Sequence, residues 1–97
     1  MFSPSSIARR AVPEICRFFG IVIRMYWDDH NPPHFHAFYG GEQALIEIES
    51  LSRFAGHLPP RAMGLVIEWA NQHQGELRAN WQRAREQQPL ERIDPLE

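Results

Sequence analysis

The sequence predicts an α+β fold in which a small three-stranded antiparallel sheet is followed by helix. Two observations predict the sheet: apolar residues alternate with other residues between about residues 17 and 49, and clusters of Pro and Gly interrupt that alternation twice. A third observation predicts the helix, because apolar residues beyond Pro60 recur at helical spacing. With 97 residues, 43% of them hydrophobic, the chain can bury one core but not two. We therefore expect a single domain over residues 13–97, preceded by a disordered leader at 1–12.

The first strand is predicted at residues 17–27, where β-branched and aromatic residues dominate the sequence RFFGIVIRMYW. In a continuous strand Phe19, Ile21 and Ile23 fall on one face, and Met25 and Trp27 extend that face. The segment that follows, DDHNPP, ends the strand because proline cannot donate to a ladder and restricts the residue before it. We expect a rigid turn there.

The second and third strands are predicted at 34–39 and 42–49 as a hairpin closed by Gly40-Gly41, since a glycine pair tolerates the positive φ of a two-residue turn. This turn sets the register, so that His34 lies opposite Glu47 and His36 opposite Leu45. His34, His36 and Glu47 then share one face of the hairpin, because side chains two residues apart on a strand point the same way.

The helical region is predicted either as one long kinked helix or as two helices at about 60–73 and 76–87. An unbroken helix of this length would measure about 40 Å at ~1.5 Å per residue, which exceeds the ~30 Å expected of so small a domain. We therefore expect a break near Gln74-Gly75. Pro89 ends the helix, and the extended tail at 89–97 carries apolar residues that pack back or meet a partner.

Composition excludes several classes of protein. The net charge of -2 gives no broad basic surface, so a nucleic-acid-binding regulator is the least favoured function. The single cysteine, Cys16, cannot form an intramolecular disulfide, and we expect a small buried hydrophobe in a cytoplasmic protein. No apolar run is long enough for a membrane helix, so no membrane partner is expected.

The strongest chemical signal is the density of histidine, since three of the five histidines lie within seven residues in DDHNPPHFH. His34, His36 and Glu47 on one rigid hairpin face would supply two imidazoles and a carboxylate, a donor set suited to zinc or iron. The same histidines are also compatible with a half-exposed amphipathic strand that binds nothing. Without a metal, they could act as a general acid and base, as in a hydrolase acting on RNA.

The turn that precedes the hairpin supplies further candidate residues. His30 is the candidate catalytic residue, as a third nitrogen ligand or as a proton carrier, and Asp28 or Asp29 could orient it. The turn as a whole is also a candidate binding surface, made of Asp28, Asp29, His30, Asn31, Pro32 and Pro33.

The strings RFFGIVIRMYWDDHNPPHFHAFYGGEQALIEI and GHLPPRAMGLVIEWANQHQGELRANW, with the tail PLERIDPL, closely resemble the bacterial family called domain of unknown function 4160, from about Pro13 to Leu96. The segment HNPPHFH is its most specific mark. The family has no established activity. Its genes often lie beside those of small proteins of the domain of unknown function 2442 family, so the resemblance implies a protein partner in a toxin-antitoxin-like pair.

These observations rank three functions. The first is a module that binds a small protein partner, with the histidine turn and the adjoining sheet as its recognition surface. The second is a metal-dependent or histidine-based hydrolase that acts on RNA or another phosphoester. The third is a nucleic-acid-binding regulator. The substrate, the metal and any homo-oligomeric state are left open by the sequence.

Overall fold

The computed structural model describes residues 13–97, which form one antiparallel sheet and two helices. The strands are β1 (Glu14–Phe18), β2 (Ile21–Arg24), β3 (His34–Tyr39), β4 (Glu42–Glu47) and β5 (Arg53–Gly56), and the helices are α1 (Pro60–Gln72) and α2 (Gln74–Arg85). Each strand pairs with the next one along the chain, so the sheet is a meander in the order β1-β2-β3-β4-β5. The predicted leader at 1–12 lies outside the described residues.

The sheet has five strands, and the prediction of three is wrong. The predicted strand at 17–27 is in fact part of a hairpin, because the chain reverses at Phe19 and Gly20 and Phe18 pairs with Ile21. Both turn residues have positive φ, 49° at Phe19 and 80° at Gly20, as a primed two-residue turn requires. A positive φ is costly for phenylalanine. The residue types at 17–27 therefore favour a continuous strand, although the chain turns at Phe19. Consequently Phe19 is 60% exposed instead of lying on the core face.

The fifth strand, β5, is the second feature that the sequence analysis missed. It pairs with β4 through an irregular register, in which Leu45 lies opposite Ala55 and Ile46 opposite Arg53. Gly56 closes the strand with a φ of 75°, and a Cβ there would lie 2.1 Å from the carbonyl oxygen of Gln43. Residues 53–56 are exposed or half-buried and show no alternation of apolar residues, so they lack the usual sequence pattern of a strand.

The β3–β4 hairpin confirms the predicted register. Tyr39 and Glu42 flank the two-glycine turn, and His34 pairs with Glu47. The strand β4 ends at Glu47 rather than Glu49, although the amide of Ile48 still donates to the carbonyl of Pro33. A short turn fixes the alignment of the strands it joins, which explains why this part of the sheet was predictable.

The core lies between the sheet and the two helices, which meet at His73. Trp69 of α1 is fully buried, with its ring centroid 5.5 Å from that of Phe18 and 5.9 Å from that of Phe35. The buried residues of the helices recur at helical spacing: Ala62, Val66, Trp69, Ala70, Leu77, Asn80, Trp81 and Ala84. The predicted break is present one residue before Gln74. No helix within residues 13–97 is long and apolar enough to cross a membrane.

Cys16 belongs to this core and is 1% exposed, as expected of a small buried hydrophobe. Burial raises the pKa of its thiol, so the side chain is a neutral thiol rather than a reactive thiolate. The cysteine is therefore part of the packing and not of a reactive site.

The C-terminal tail packs back onto the domain. Ile93 and Leu96 are buried, and the indole Nε1 of Trp69 donates to the carbonyl of Asp94 at 2.8 Å. The buried amide of Asn80 donates to the carbonyl of Glu91 at 2.8 Å and accepts from the amide of Glu91 at 2.9 Å. The tail thus satisfies polar groups that the helices bury.

Glu14 anchors the tail to β1 and gives the fold a testable pH dependence. Its hydrogen bond from Arg17, opposed by partial burial and assisted by Arg92, lowers its pKa from 4.5 to about 2. Because the pKa is depressed in the folded state, the stabilisation is present above about pH 4.5 and is lost as the pH falls towards 2. We expect Glu14→Gln to lower the melting temperature at about pH 6 and to have much less effect at about pH 2, where Glu14 becomes protonated.

The measurement is thermal unfolding of both proteins across that pH range. Glu68→Gln, an exposed carboxylate on α1, is the control and should follow the wild type. A Glu14→Gln difference that is independent of pH would contradict the assignment.

Candidate functional site

Two histidines of β3 define the candidate site on the sheet face opposite α1. Phe35 packs against Trp69, so its neighbours His34 and His36 point to the other face. Both are nevertheless shielded from solvent, with 6% of the His34 side chain and 12% of the His36 side chain exposed. Polar groups this enclosed require hydrogen-bond partners or a ligand.

Asp29 supplies a carboxylate to both histidines. The chain before β3 folds back so that Asp29 Oδ2 lies 3.2 Å from His34 Nε2 and 2.9 Å from His36 Nε2. The three ligand atoms all lie within 4.8 Å of one another. Two imidazole nitrogens and one carboxylate oxygen therefore lie together in one small region.

The hydrogen bond on the far side of the His34 ring fixes its chemical form. Nδ1 of His34 lies 2.7 Å from the carbonyl oxygen of Pro32. A carbonyl only accepts, so Nδ1 carries the proton, and in a neutral ring Nε2 then carries a lone pair. That lone pair faces the Asp29 carboxylate, which is also an acceptor. Two acceptors at this distance are compatible with a proton or a metal ion between them.

His36 is held in the same manner. Its Nδ1 lies 3.1 Å from Oε1 of Gln43, on the strand next to β3. As the amide oxygen accepts, Nδ1 of His36 donates, and Nε2 is again the atom turned towards Asp29. Histidines that bind metals typically donate their second ring nitrogen to a carbonyl or carboxylate, which orients the ring. Both histidines have this arrangement.

Aromatic rings surround the imidazoles. Tyr26 meets His36 edge-on with a centroid distance of 4.5 Å, and Trp81 of α2 lies 5.4 Å from His34. Phe54 of β5 meets His34 edge-on at 5.2 Å and remains 46% exposed. These rings exclude water from the sides of the cluster, which strengthens its electrostatic interactions.

Glu47 is separate from this cluster, although its predicted pairing with His34 is correct. Its carboxylate Oε1 accepts a hydrogen bond from Ser50 Oγ at 2.6 Å, and the cluster contains Asp29 in its place. The sequence predicts Asp29 as a residue that orients His30 and as part of the candidate binding surface, but not as a ligand. The signal for it in the sequence was an acidic pair just before the turn, which does not indicate which loop carboxylate returns to the strand.

The other turn residues form an exposed loop beside the cluster. Asp28, His30, Asn31 and Pro32 are exposed, and Pro33 is half-buried. His30 is not one of the three clustered side chains. Asn31 Oδ1 accepts a hydrogen bond from Arg85 of α2 at 3.4 Å, so the loop contacts the helix. Whether this loop binds a partner, and whether His30 acts in catalysis, stay predictions.

Comparison with known proteins places the chain in a family without assigning an activity. No curated protein and no solved structure matches it. The sequence model of a domain of unknown function, DUF4160, matches residues 20–82, which include β2 to β5, the Asp29–His34–His36 cluster, α1 and most of α2. Since this match covers more than half of the chain, the protein belongs to the DUF4160 family.

Proposed function

We propose that this protein is a metal-dependent hydrolase in which Asp29, His34 and His36 hold one divalent transition-metal ion. The observation that supports this most is the placement of Asp29 Oδ2 at 3.2 Å and 2.9 Å from two Nε2 atoms whose rings are oriented from behind. Three acceptor atoms this close favour a cation among them, and two imidazoles with a carboxylate are a donor set that zinc and iron bind.

The distances suit a transition metal. Zinc or iron binds histidine nitrogen and carboxylate oxygen at about 2.0–2.2 Å, which puts neighbouring ligand atoms about 3.0–3.4 Å apart. The two N···O distances here, 2.9 and 3.2 Å, are close to that range. Imidazole donors favour zinc or iron over magnesium or calcium, which prefer oxygen ligands alone.

Three protein ligands leave coordination positions for water and substrate. When bound by Asp29, His34 and His36, a zinc ion would supply an activated water as nucleophile at neutral pH. The protein's own contribution is to fix the two rings through Pro32 and Gln43 and to keep the cluster shielded by Tyr26 and Phe54. Hydrolysis is the reaction that such an arrangement supports best.

The test is metal binding by protein purified without a histidine tag. Stripped protein reloaded with zinc should retain about one ion per chain after gel filtration, measured by mass spectrometry of the metal. His34→Ala and His36→Ala should lose it. His57→Ala removes an exposed histidine outside the cluster and is the matched control, which should retain the ion.

A wild-type protein that retains neither zinc nor iron would contradict the metal-dependent form of this proposal. The same contacts would then support the second candidate, a hydrolase in which Asp29 holds a protonated histidine as general acid. Hydrolytic activity that persists in chelator and is lost in His36→Ala would distinguish it.

Binding of a small protein partner, as in a two-gene module of cytoplasmic proteins, is a further proposal. It is supported by Phe54, which is 46% exposed on an edge strand beside the cluster. Exposed edge strands and aromatic side chains favour protein contacts. The test is copurification with the neighbouring gene product. Phe54→Ser should weaken the complex, while Phe19→Ser, which alters an even more exposed ring on the β1–β2 turn, should not.

A further inference from the structure

We propose that Arg24 is the phosphate-binding residue of this site and that the substrate is a phosphate ester. This inference rests on the proposed metal-dependent function and extends it, because it names the chemical group that the site would hold beside the metal.

Arg24 lies next to the cluster on the same face of the sheet. It pairs with His36 across β2 and β3, and directly opposed side chains have β-carbons about 5 Å apart. The guanidinium carbon of Arg24 lies 4.9 Å from the centre of the Phe38 ring. That ring is in turn nearly parallel to His36, at 12° and a centroid distance of 6.3 Å. Arg24, Phe38 and His36 therefore form a contiguous surface.

Among residues 13–97, no carboxylate forms an ion pair with Arg24, and its Nε, which is inaccessible to solvent, has no hydrogen-bond partner there. By contrast, Arg17 and Arg92 contact Glu14, and Arg78 contacts Glu49. An enclosed charged donor without an acceptor is unfavourable, so this nitrogen favours a ligand that accepts hydrogen bonds. The planar arginine side chain matches the geometry of phosphate oxygens.

The charges of the site favour phosphate most when the metal is bound. The single negative charge of Asp29 lies beside Arg24 and the two imidazoles. A divalent ion adds two positive charges, so the metal and Arg24 together present a net positive site to a phosphate group. This predicts that phosphate binding depends on both the metal and the arginine.

The corresponding reaction is hydrolysis of the phosphate ester. The oxygen of water forms a bond to phosphorus, and the bond from phosphorus to the ester oxygen breaks with its electron pair on that oxygen. The proton released by the attacking water ends on the leaving oxygen. Arg24 would bind the non-bridging oxygens, whose negative charge it stabilises.

The experiment titrates inorganic phosphate into zinc-loaded protein by calorimetry. Arg24→Gln should weaken binding by roughly tenfold or more, as expected for loss of a charge-assisted hydrogen bond, with zinc content unchanged. Arg24→Lys keeps the charge and should be affected less. Arg61→Gln is the matched control. It removes an exposed arginine at the start of α1, and α1 packs on the other face of the sheet.

The outcomes separate this inference from the proposed function. Zinc-loaded protein that binds no phosphate, or Arg24→Gln that binds it as well as the wild type, would overturn the role of Arg24 and leave the metal site standing. Protein that holds no metal would overturn both. Nitrophenyl phosphate and its bis-nitrophenyl diester, assayed with the same variants, then show whether a monoester or a diester is hydrolysed, and Arg24→Gln should slow the preferred one.

Discussion

Asp29→Asn is expected to lower the affinity for zinc by roughly a hundredfold or more. The substitution keeps the shape of the side chain but removes the negative charge that both Nε2 atoms face, at 3.2 and 2.9 Å. Loss of a residue that only orients a ligand costs 10- to 100-fold in affinity, so loss of a ligand should exceed that. Competition with a chromogenic chelator measures the affinity.

Glu47→Gln is the comparison that separates the two possible carboxylate ligands. Glu47 is the residue opposite His34 in the hairpin, but its carboxylate is hydrogen-bonded to Ser50. We expect this variant to bind zinc as the wild type does. If Glu47→Gln loses the metal and Asp29→Asn keeps it, the ligand set argued from the structure is wrong and the one expected from the sequence is favoured. Thermal unfolding in chelator checks that both variants fold.

Truncation after Gln88 is expected to destabilise the domain by at least about 4 kcal/mol, which is comparable with the whole stability of a small domain. The deletion removes the buried side chains of Ile93 and Leu96. It also leaves the buried amide of Asn80 without Glu91 and the Trp69 indole without Asp94. The melting temperature should fall by more than about 15 °C.

Smaller variants control this prediction. Ile93→Ala should lose about 2–4 kcal/mol, since it removes a fully packed side chain. Pro95→Ala, at an exposed position of the same tail, should change the stability little. A truncated protein that unfolds at the wild-type temperature would show that the tail does not contribute to the core. Because the truncation is expected to unfold the domain, loss of a bound protein in the truncated variant would not show that this protein binds the tail.

The predictable part of the site is the part built by local geometry. Alternation along residues 34–39 and the adjacent glycines at 40–41 were enough to derive the register of β3 and β4, and so to bring His34 and His36 to one face. The helix stripes were predictable for a similar reason, because apolar residues recur at helical spacing, and Val66, Ala70, Leu77, Trp81 and Ala84 are buried.

The unpredicted parts depend on conformations that residue types do not indicate. Phe19 adopts a positive φ, which phenylalanine rarely does, and the resulting reversal turned one predicted strand into two. The strand β5 has no alternating pattern, and its position follows from pairing with β4. In both places the packing of the complete sheet outweighs local preference.

The sequence by itself determined that two imidazoles share one surface of a two-stranded ribbon, because a short turn and the period of a strand act over neighbouring residues. Only the tertiary structure decided which carboxylate joins them. Asp29 lies in a loop whose path depends on Pro32, on α2 and on the cluster itself, and such contacts form only when distant segments pack together. The fold thereby completes a donor set that the hairpin alone leaves unfinished.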